Sequence, residues 1–302
     1  MRSAYKEHAV ADASLPIAQN TLKGVALVVI ATLLFAASDV VGKHLALLYA
    51  VPFFMAVRYG INLCLLAAVL GPRHGAGLWR TQRTGLVILR GLCLAAGSLT
   101  MGLALRVMPV AETAAIVYLA PFIVMLAAGR LMGEKVTHAG WIGAMCGFAG
   151  VLLIMRPGSG LDPVGVVLSL INAGFAAAYH LLTRSLARTE SMPAMVFTTA
   201  LVGVVVFAGL ALFTGPGQMP DAMGWVWMTA LGVLATAGHL LFTAAYREAA
   251  ASVLAPVNYL HIMWAGILGW LVFAHVPDGL ALIGMAMVAV SGAAVAVRAN
   301  RP

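Results

Sequence analysis

From residue 24 to residue 297 the chain is a succession of apolar runs, and no connection between them is longer than the basic turn 71–83. Runs of about 17–25 apolar residues cross a hydrocarbon core ~30 Å thick at ~1.5 Å per residue. Inside such a core every backbone N–H and C=O needs a partner within the protein, so spans of this length are helices. Ten runs qualify, at roughly 24–41, 52–70, 84–105, 109–132, 139–155, 162–183, 192–213, 222–246, 252–274 and 278–297. Composition agrees: 62% of residues are apolar and 9% charged, where soluble domains carry about 25% charge. The reading is an all-α integral membrane protein of ten transmembrane helices. Residues 1–22 form a polar tail, and the run from Gly24 is a retained first span rather than a signal peptide. It is longer than the usual ~15-residue signal core and contains Asp39.

Shifting the sequence by 141 residues lays Arg106, Tyr118, Glu134 and Gly143 over Arg247, Tyr259, His275 and Gly284. The order of helix, short polar turn and helix is kept around these matches. One large offset of this kind indicates internal duplication, a common build among transporters. The halves are 23–156 and 157–302, with five spans each. Because five is odd, the second half enters the membrane upside down relative to the first, and the repeat is inverted.

Basic residues orient the bundle. Arg2, Lys6, Lys23, Arg73, Arg80, Arg83, Arg130, Lys135, Arg184, Arg188, Arg247, Arg298 and Arg301 fall on the side of the N-terminus, against Lys43, Arg106 and Arg156 on the other. That bias predicts both termini in the cytoplasm of a bacterial inner membrane. Formal charge is +8, but it is spread over short loops rather than gathered in a patch, so no nucleic-acid partner is expected. Cys64, Cys93 and Cys146 lie in apolar runs without metal-ligand spacing, and they read as packing residues.

The text 110–153 holds Thr113, Ala114, Pro121, Glu134, Trp141, Gly143, Gly147 and Val151 in a pattern that resembles the EamA-type branch of the drug/metabolite transporter superfamily. The likeness covers nearly everything after residue 22, and 250–292 resembles a second copy. That copy has His275 where such repeats carry a Glu. A narrower likeness, in FAASDVVGKHL, Arg58, LRGL around Arg90 and APVNYL, is to the subgroup that includes S-adenosylmethionine uptake carriers. The resemblance implies two inverted five-helix repeats and export of amino acids or related metabolites. Uptake or exchange of a nucleoside-like cofactor is the second cargo class.

Ionisable groups inside spans cost about 2.5–3.5 kcal/mol each at a helix centre, so each needs a reason. Asp39 and Arg58 fall at similar depth in adjacent spans, where pairing would offset both costs; the same pair could gate one side or hold a zwitterion. Arg90 is expected to snorkel toward lipid phosphate, with contact to an anionic substrate group as the alternative. Glu112 suits the positive end of the fourth span, with a proton-coupling role as the alternative. The resemblance makes Glu134 part of the cytoplasmic closure. Tyr118 and Tyr259 occupy equivalent positions in the fourth and ninth spans, with Pro121 weakening the former. Together with Asn258, His261, Trp264 and His239 they are the candidate cargo contacts, and either histidine could carry a coupling proton. Thr236, His239, Thr243 and Arg247 form a polar stripe, and Asn172, Tyr179 and Thr183 another.

No Gly-x-x-x-x-Gly-Lys-Ser/Thr occurs, so direct ATP drive is not expected. Neither a zinc HExxH nor a serine-nucleophile motif is present, and neither a cofactor nor a metal is expected. The function read from the chain is a secondary carrier, not an enzyme, for a small polar or amphipathic metabolite. It works by alternating access within the lipid bilayer, with protons as the coupling ion.

Overall fold

A computed structural model describes residues 20–132, 138–156, 158–187, 189–249 and 251–299. Among these residues there are twelve α-helices and no strand. In order they are α1 (Thr21–Leu48), α2 (Val51–His74), α3 (Thr84–Val107), α4 (Val110–Val117), α5 (Ala120–Met132), α6 (His138–Met155), α7 (Pro163–Leu186), α8 (Met192–Thr214), α9 (Ala222–Glu248), α10 (Ala251–Asn258), α11 (Leu260–Phe273) and α12 (Gly279–Ala299). Seven segments are long and apolar enough to cross a membrane, joined by the shorter apolar helices Gly140–Met155, Leu260–Phe273 and Gly279–Val295. The expected fourth and ninth spans are each broken in two, which accounts for the two extra helices.

Helix starts follow local chemistry. Asp162 accepts from the Val164 and Gly165 N–H groups ahead of a first-turn Pro163, Ser191 accepts from Ala194, and Asp221 accepts from Gly224. Each satisfies donors that a helix N-terminus leaves open.

The halves do not sit side by side. The 141-residue offset carries α1 onto α7 and α3 onto α9, yet α1 packs chiefly on α9 and α3 on α7, while α2 lies on α8 and α6 on α12. Gly24 meets Ala249 at one end of the bundle, the base, and Gly224 meets the Tyr49 hydroxyl at the other, the top. α1 and α9 are therefore antiparallel. Glu190 at the end of α7 accepts from the Gln82 and Arg83 N–H groups at 3.0 and 2.6 Å, and Met108 at the end of α3 packs against Gly165. Lys43 Nζ donates to Leu105 O at 2.9 Å and Met108 O at 2.6 Å, bringing the ends of α1 and α3 together at the top. Hence α1 and its copy α7 run in opposite directions.

Small residues set the closest approaches. A Cβ on Gly150 of α6 would lie 2.7 Å from the Gly284 carbonyl oxygen of α12, a backbone-to-backbone contact of the kind that packs helices in lipid. A Cβ on Gly238 of α9 would lie 2.7 Å from the Phe35 ring. Large apolar side chains such as Leu212, Phe213, Ile142 and Val205 face outward, as a lipid-facing surface requires.

Candidate functional site

The two helix breaks fall at repeat-equivalent residues. Pro121 has no N–H to offer the Val117 carbonyl, so the i to i+4 ladder fails and α4 ends at Val117. Tighter turns bridge the gap, with Leu119 N donating to Ile116 O at 3.0 Å and Phe122 N to Leu119 O at 3.1 Å. In the second copy α10 ends at Asn258, and Ile262 N donates to Tyr259 O at 3.1 Å. The Asn258 carbonyl is left without its helical donor. The Tyr118 hydroxyl supplies one, donating to that oxygen at 2.9 Å. The two tyrosine rings stand 5.0 Å apart, tilted by 44°. Each break is thus in contact with the other, and a side chain from the first repairs the second.

Around this junction the candidates converge on Phe35 of α1. His239 lies 4.9 Å from the Phe35 ring, Phe242 6.1 Å and His261 6.4 Å, and Tyr118 lies 5.7 Å from His261. His261 Nε2 approaches Asp39 Oδ2 at 3.1 Å, too far out of line for a hydrogen bond, with both side chains mostly buried. Tyr118, Tyr259, His261, His239 and Asp39 are therefore one cluster, joined by the Asn258 backbone. Trp264, one turn beyond His261, packs against the cluster of Ala36, Val40, Leu105, Val110, Ala114 and Ala265, and among the described residues its buried Nε1–H has no acceptor. In the α9 stripe, the Thr236 and Thr243 hydroxyls donate to Gly232 O and His239 O of their own helix, each at 2.8 Å.

Two expectations are corrected. Asp39 does not pair with Arg58. The carboxylate turns to His261, while Arg58 Nη1 reaches Ser98 Oγ at 3.4 Å and Met55 Sδ at 3.7 Å, its guanidinium over the Tyr59 ring at 5.1 Å. The two residues share a depth, but side-chain direction around their helices separates them. Arg90 does not snorkel to lipid. It is 1% exposed and donates to Thr183 Oγ1 at 2.7 Å, Thr199 Oγ1 at 2.6 Å, the Tyr179 hydroxyl at 2.6 Å and Met195 O at 3.1 Å. Enough polar acceptors line α7 and α8 to hold the charge inside. Glu112 does stand in the first turn of α4, where a carboxylate suits the helix dipole, and it also pairs with His275 Nε2 at 2.8 Å across the top. Glu134 lies outside the described residues.

The Glu112–His275 pair borders a cavity of about 250 Å³ between α1, α3, α4 and α11, lined by Lys43, Arg106, Val110, Gly266, Phe273 and His275. Nearby, Arg156 Nη2 pairs with Asp278 Oδ2 at 2.5 Å, and Asp278 also accepts from the Ala281 N–H. These bonds and the arginine hold the Asp278 carboxyl below the ordinary aspartate range. At the base, Lys23 Nζ pairs with Glu248 Oε1 at 2.6 Å.

Phe35, Ser98 and the Glu112–His275 contact were missed by the sequence reading. Phe35 is one apolar residue in an apolar run and carries no local signal. The His275 substitution in the repeat was visible, but its partner 163 residues away was not.

Comparison with known proteins agrees with this architecture. The sequence profile described as the EamA-like transporter family matches residues 22–156 and again 163–297. Among relatives, a riboflavin transporter of Brucella anthropi is 32% identical over 226 residues, covering 73% of this chain and 79% of that one. The pseudopaline exporter CntI of Pseudomonas aeruginosa is 26% identical, over 89% of this chain and 94% of its own. An S-adenosylmethionine uptake transporter of Rickettsia felis is 24% identical, over 83% and 85%.

Proposed function

The chain belongs to the EamA-like transporter family and is a membrane transporter; from that premise we propose a secondary carrier that works by alternating access between the halves 23–156 and 157–302. In this reading ten crossings are formed, with each broken pair counted as one, and both termini are cytoplasmic in a bacterial inner membrane. The observation that carries it is the bond from the Tyr118 hydroxyl to the Asn258 carbonyl. Broken helices that meet midway through a duplicated bundle are where carriers of this build hold cargo.

The cargo is a small amphipathic metabolite. Phe35, Tyr118 and Tyr259 offer ring faces, while His261, His239 and the Asn258 amide offer polar contacts. Trp264, whose Nε1–H has no acceptor among the described residues, adds a donor toward the top. Asp39 beside His261 is the proton-coupling pair. Glu112 with His275 is the upper closure, and Glu134 is assigned to the lower one. Of the two cargo classes, amino acid-type export and uptake or exchange of a nucleoside-like cofactor, the aromatic lining favours the flat-ringed second. Relatives named for riboflavin and S-adenosylmethionine support that order.

Proteoliposomes loaded with unlabelled riboflavin test it. Labelled riboflavin outside should enter by saturable counterflow, faster than into empty vesicles, and Tyr259→Ala or His261→Ala should raise the half-saturating concentration. Flux linear in concentration and indifferent to internal riboflavin would mean a passive channel. Reporter fusions at Gly75 and Arg301 should be active only as cytoplasmic markers; periplasmic activity at either would overturn the orientation.

A further inference from the structure

The charges in the middle of the bundle do not balance. Among the described acids, Asp162, Asp221 and Asp278 cap helices at the top, where Glu112 is also held by His275. Glu190 and Glu248 are engaged at the base. Asp39 is the one carboxylate left in the interior, and it faces His261. Two arginines lie there as well. Each guanidinium nitrogen of Arg90 is engaged by a hydroxyl or a carbonyl, none of them charged, so it acts as a fixed positive field.

Arg58 is the group left to bind. Its Nη1 takes the long contacts to Ser98 and Met55. Among the described residues its buried Nε has no acceptor, and Nη2 has none either. Nε–H and Nη2–H are the parallel pair on one edge of a guanidinium, the fork that matches the two oxygens of a carboxylate or phosphate. Asn62 stands one helical turn further along α2, so the two side chains share a face. Its buried Oδ1 has no donor among the described residues. The Tyr59 ring face at 5.1 Å and these long contacts leave the Arg58 guanidinium without a carboxylate partner; such a charge within a membrane bundle is costly and marks a place where an anion is received.

We infer that the cargo carries an anionic group, a carboxylate or a phosphate, seated on the Nε/Nη2 edge of Arg58, with its ring system toward Phe35 and the tyrosine pair. This inference rests on the carrier reading above and adds the sign of the cargo's charge.

The test is equilibrium binding to the full chain in lipid nanodiscs, using two probe pairs that differ by one anionic group. Riboflavin 5′-phosphate against riboflavin reports a phosphate; indole-3-acetate against indole-3-acetamide reports a carboxylate. The anionic member of at least one pair should bind about tenfold more tightly, and the responding pair identifies which oxyanion fits. Arg58→Gln should bring that ratio close to one, with Arg58→Lys retaining part of it. The preference in the unsubstituted protein stands as a measurement by itself if the glutamine variant does not fold. Equal or tighter binding of the neutral members overturns the inference and leaves the carrier reading intact. So does a preference that Arg58→Gln leaves unchanged. Absence of binding by all four probes, together with absence of riboflavin counterflow, removes both.

Discussion

Removing one oxygen tests whether the paired breaks are held as described. Tyr118→Phe keeps the ring beside Tyr259 but deletes the 2.9 Å bond to the Asn258 carbonyl. Hydrogen bonds between helices in lipid average ~0.6 kcal/mol and reach ~1.7. An acceptor left buried and unpaired adds about 1–3 kcal/mol. Tyr118 is only half-buried, so water can reach part of the gap, and the upper end does not apply. The expected loss is about 1 kcal/mol, or about fivefold in an equilibrium constant, seen as a fall of ~2 °C in melting temperature. Tyr259→Phe is the control, because its hydroxyl packs against Gly292 and makes no hydrogen bond among the described residues; its effect should stay within ~0.5 kcal/mol. Melting of purified protein in detergent, followed by tryptophan fluorescence, measures both. Equal melting for Tyr118→Phe and the parent, with a drop for Tyr259→Phe, would refute the assignment.

Three further outcomes are expected. Gly150→Ala sets a methyl against the Gly284 carbonyl and should cost about 1–3 kcal/mol, whereas Gly174→Ala, with open space around it, should cost nothing measurable; equal melting of the two would mean α6 and α12 are not in close contact. Arg90→Met should melt within a few degrees of the parent, because a well-packed apolar replacement of a buried charge is often neutral or better, and the Thr183 and Thr199 hydroxyls already donate to their own helices; a collapse in yield would show that the charge is structural. Asp278 titrates below the ordinary aspartate value because of the Ala281 N–H and Arg156, so its contribution is present above that value and is lost as pH falls through the depressed one. Asp278→Ala should therefore lower melting at pH 7, with the gap closing as the pH falls below the ordinary aspartate range; a gap independent of pH would contradict this.

What was legible in the sequence was whatever repeats along the chain. Hydropathy marks the helices, and the 141-residue offset pairs Tyr118 with Tyr259. Proline chemistry at Pro121 pointed to a weak fourth helix, although not to a break. Pairings across the bundle were illegible, because depth along an axis is written in residue number while rotation about it is set by packing. Asp39 and Arg58 were matched by depth alone, and rotation sent Asp39 to His261. Arg90 was misjudged for a similar reason. Its acceptors Tyr179, Thr183 and Thr199 come from α7 and α8, which only the exchanged packing of the halves brings against α3.

That exchange governs how the chain must assemble. α2 leaves the ribosome with its principal neighbour, α8, still about 140 residues from synthesis, and α1 waits longer for α9. The first five-helix unit therefore enters lipid with its inner faces uncovered, exposing Arg58, Arg90 and Asp39 to the bilayer or to the insertion machinery. Contacts this distant in sequence close slowly. A half-made chain is then open to engagement by any similar surface, including a second nascent copy. Two separately encoded halves would meet through the same faces, so a split at residue 157 should be the interruption this architecture tolerates best.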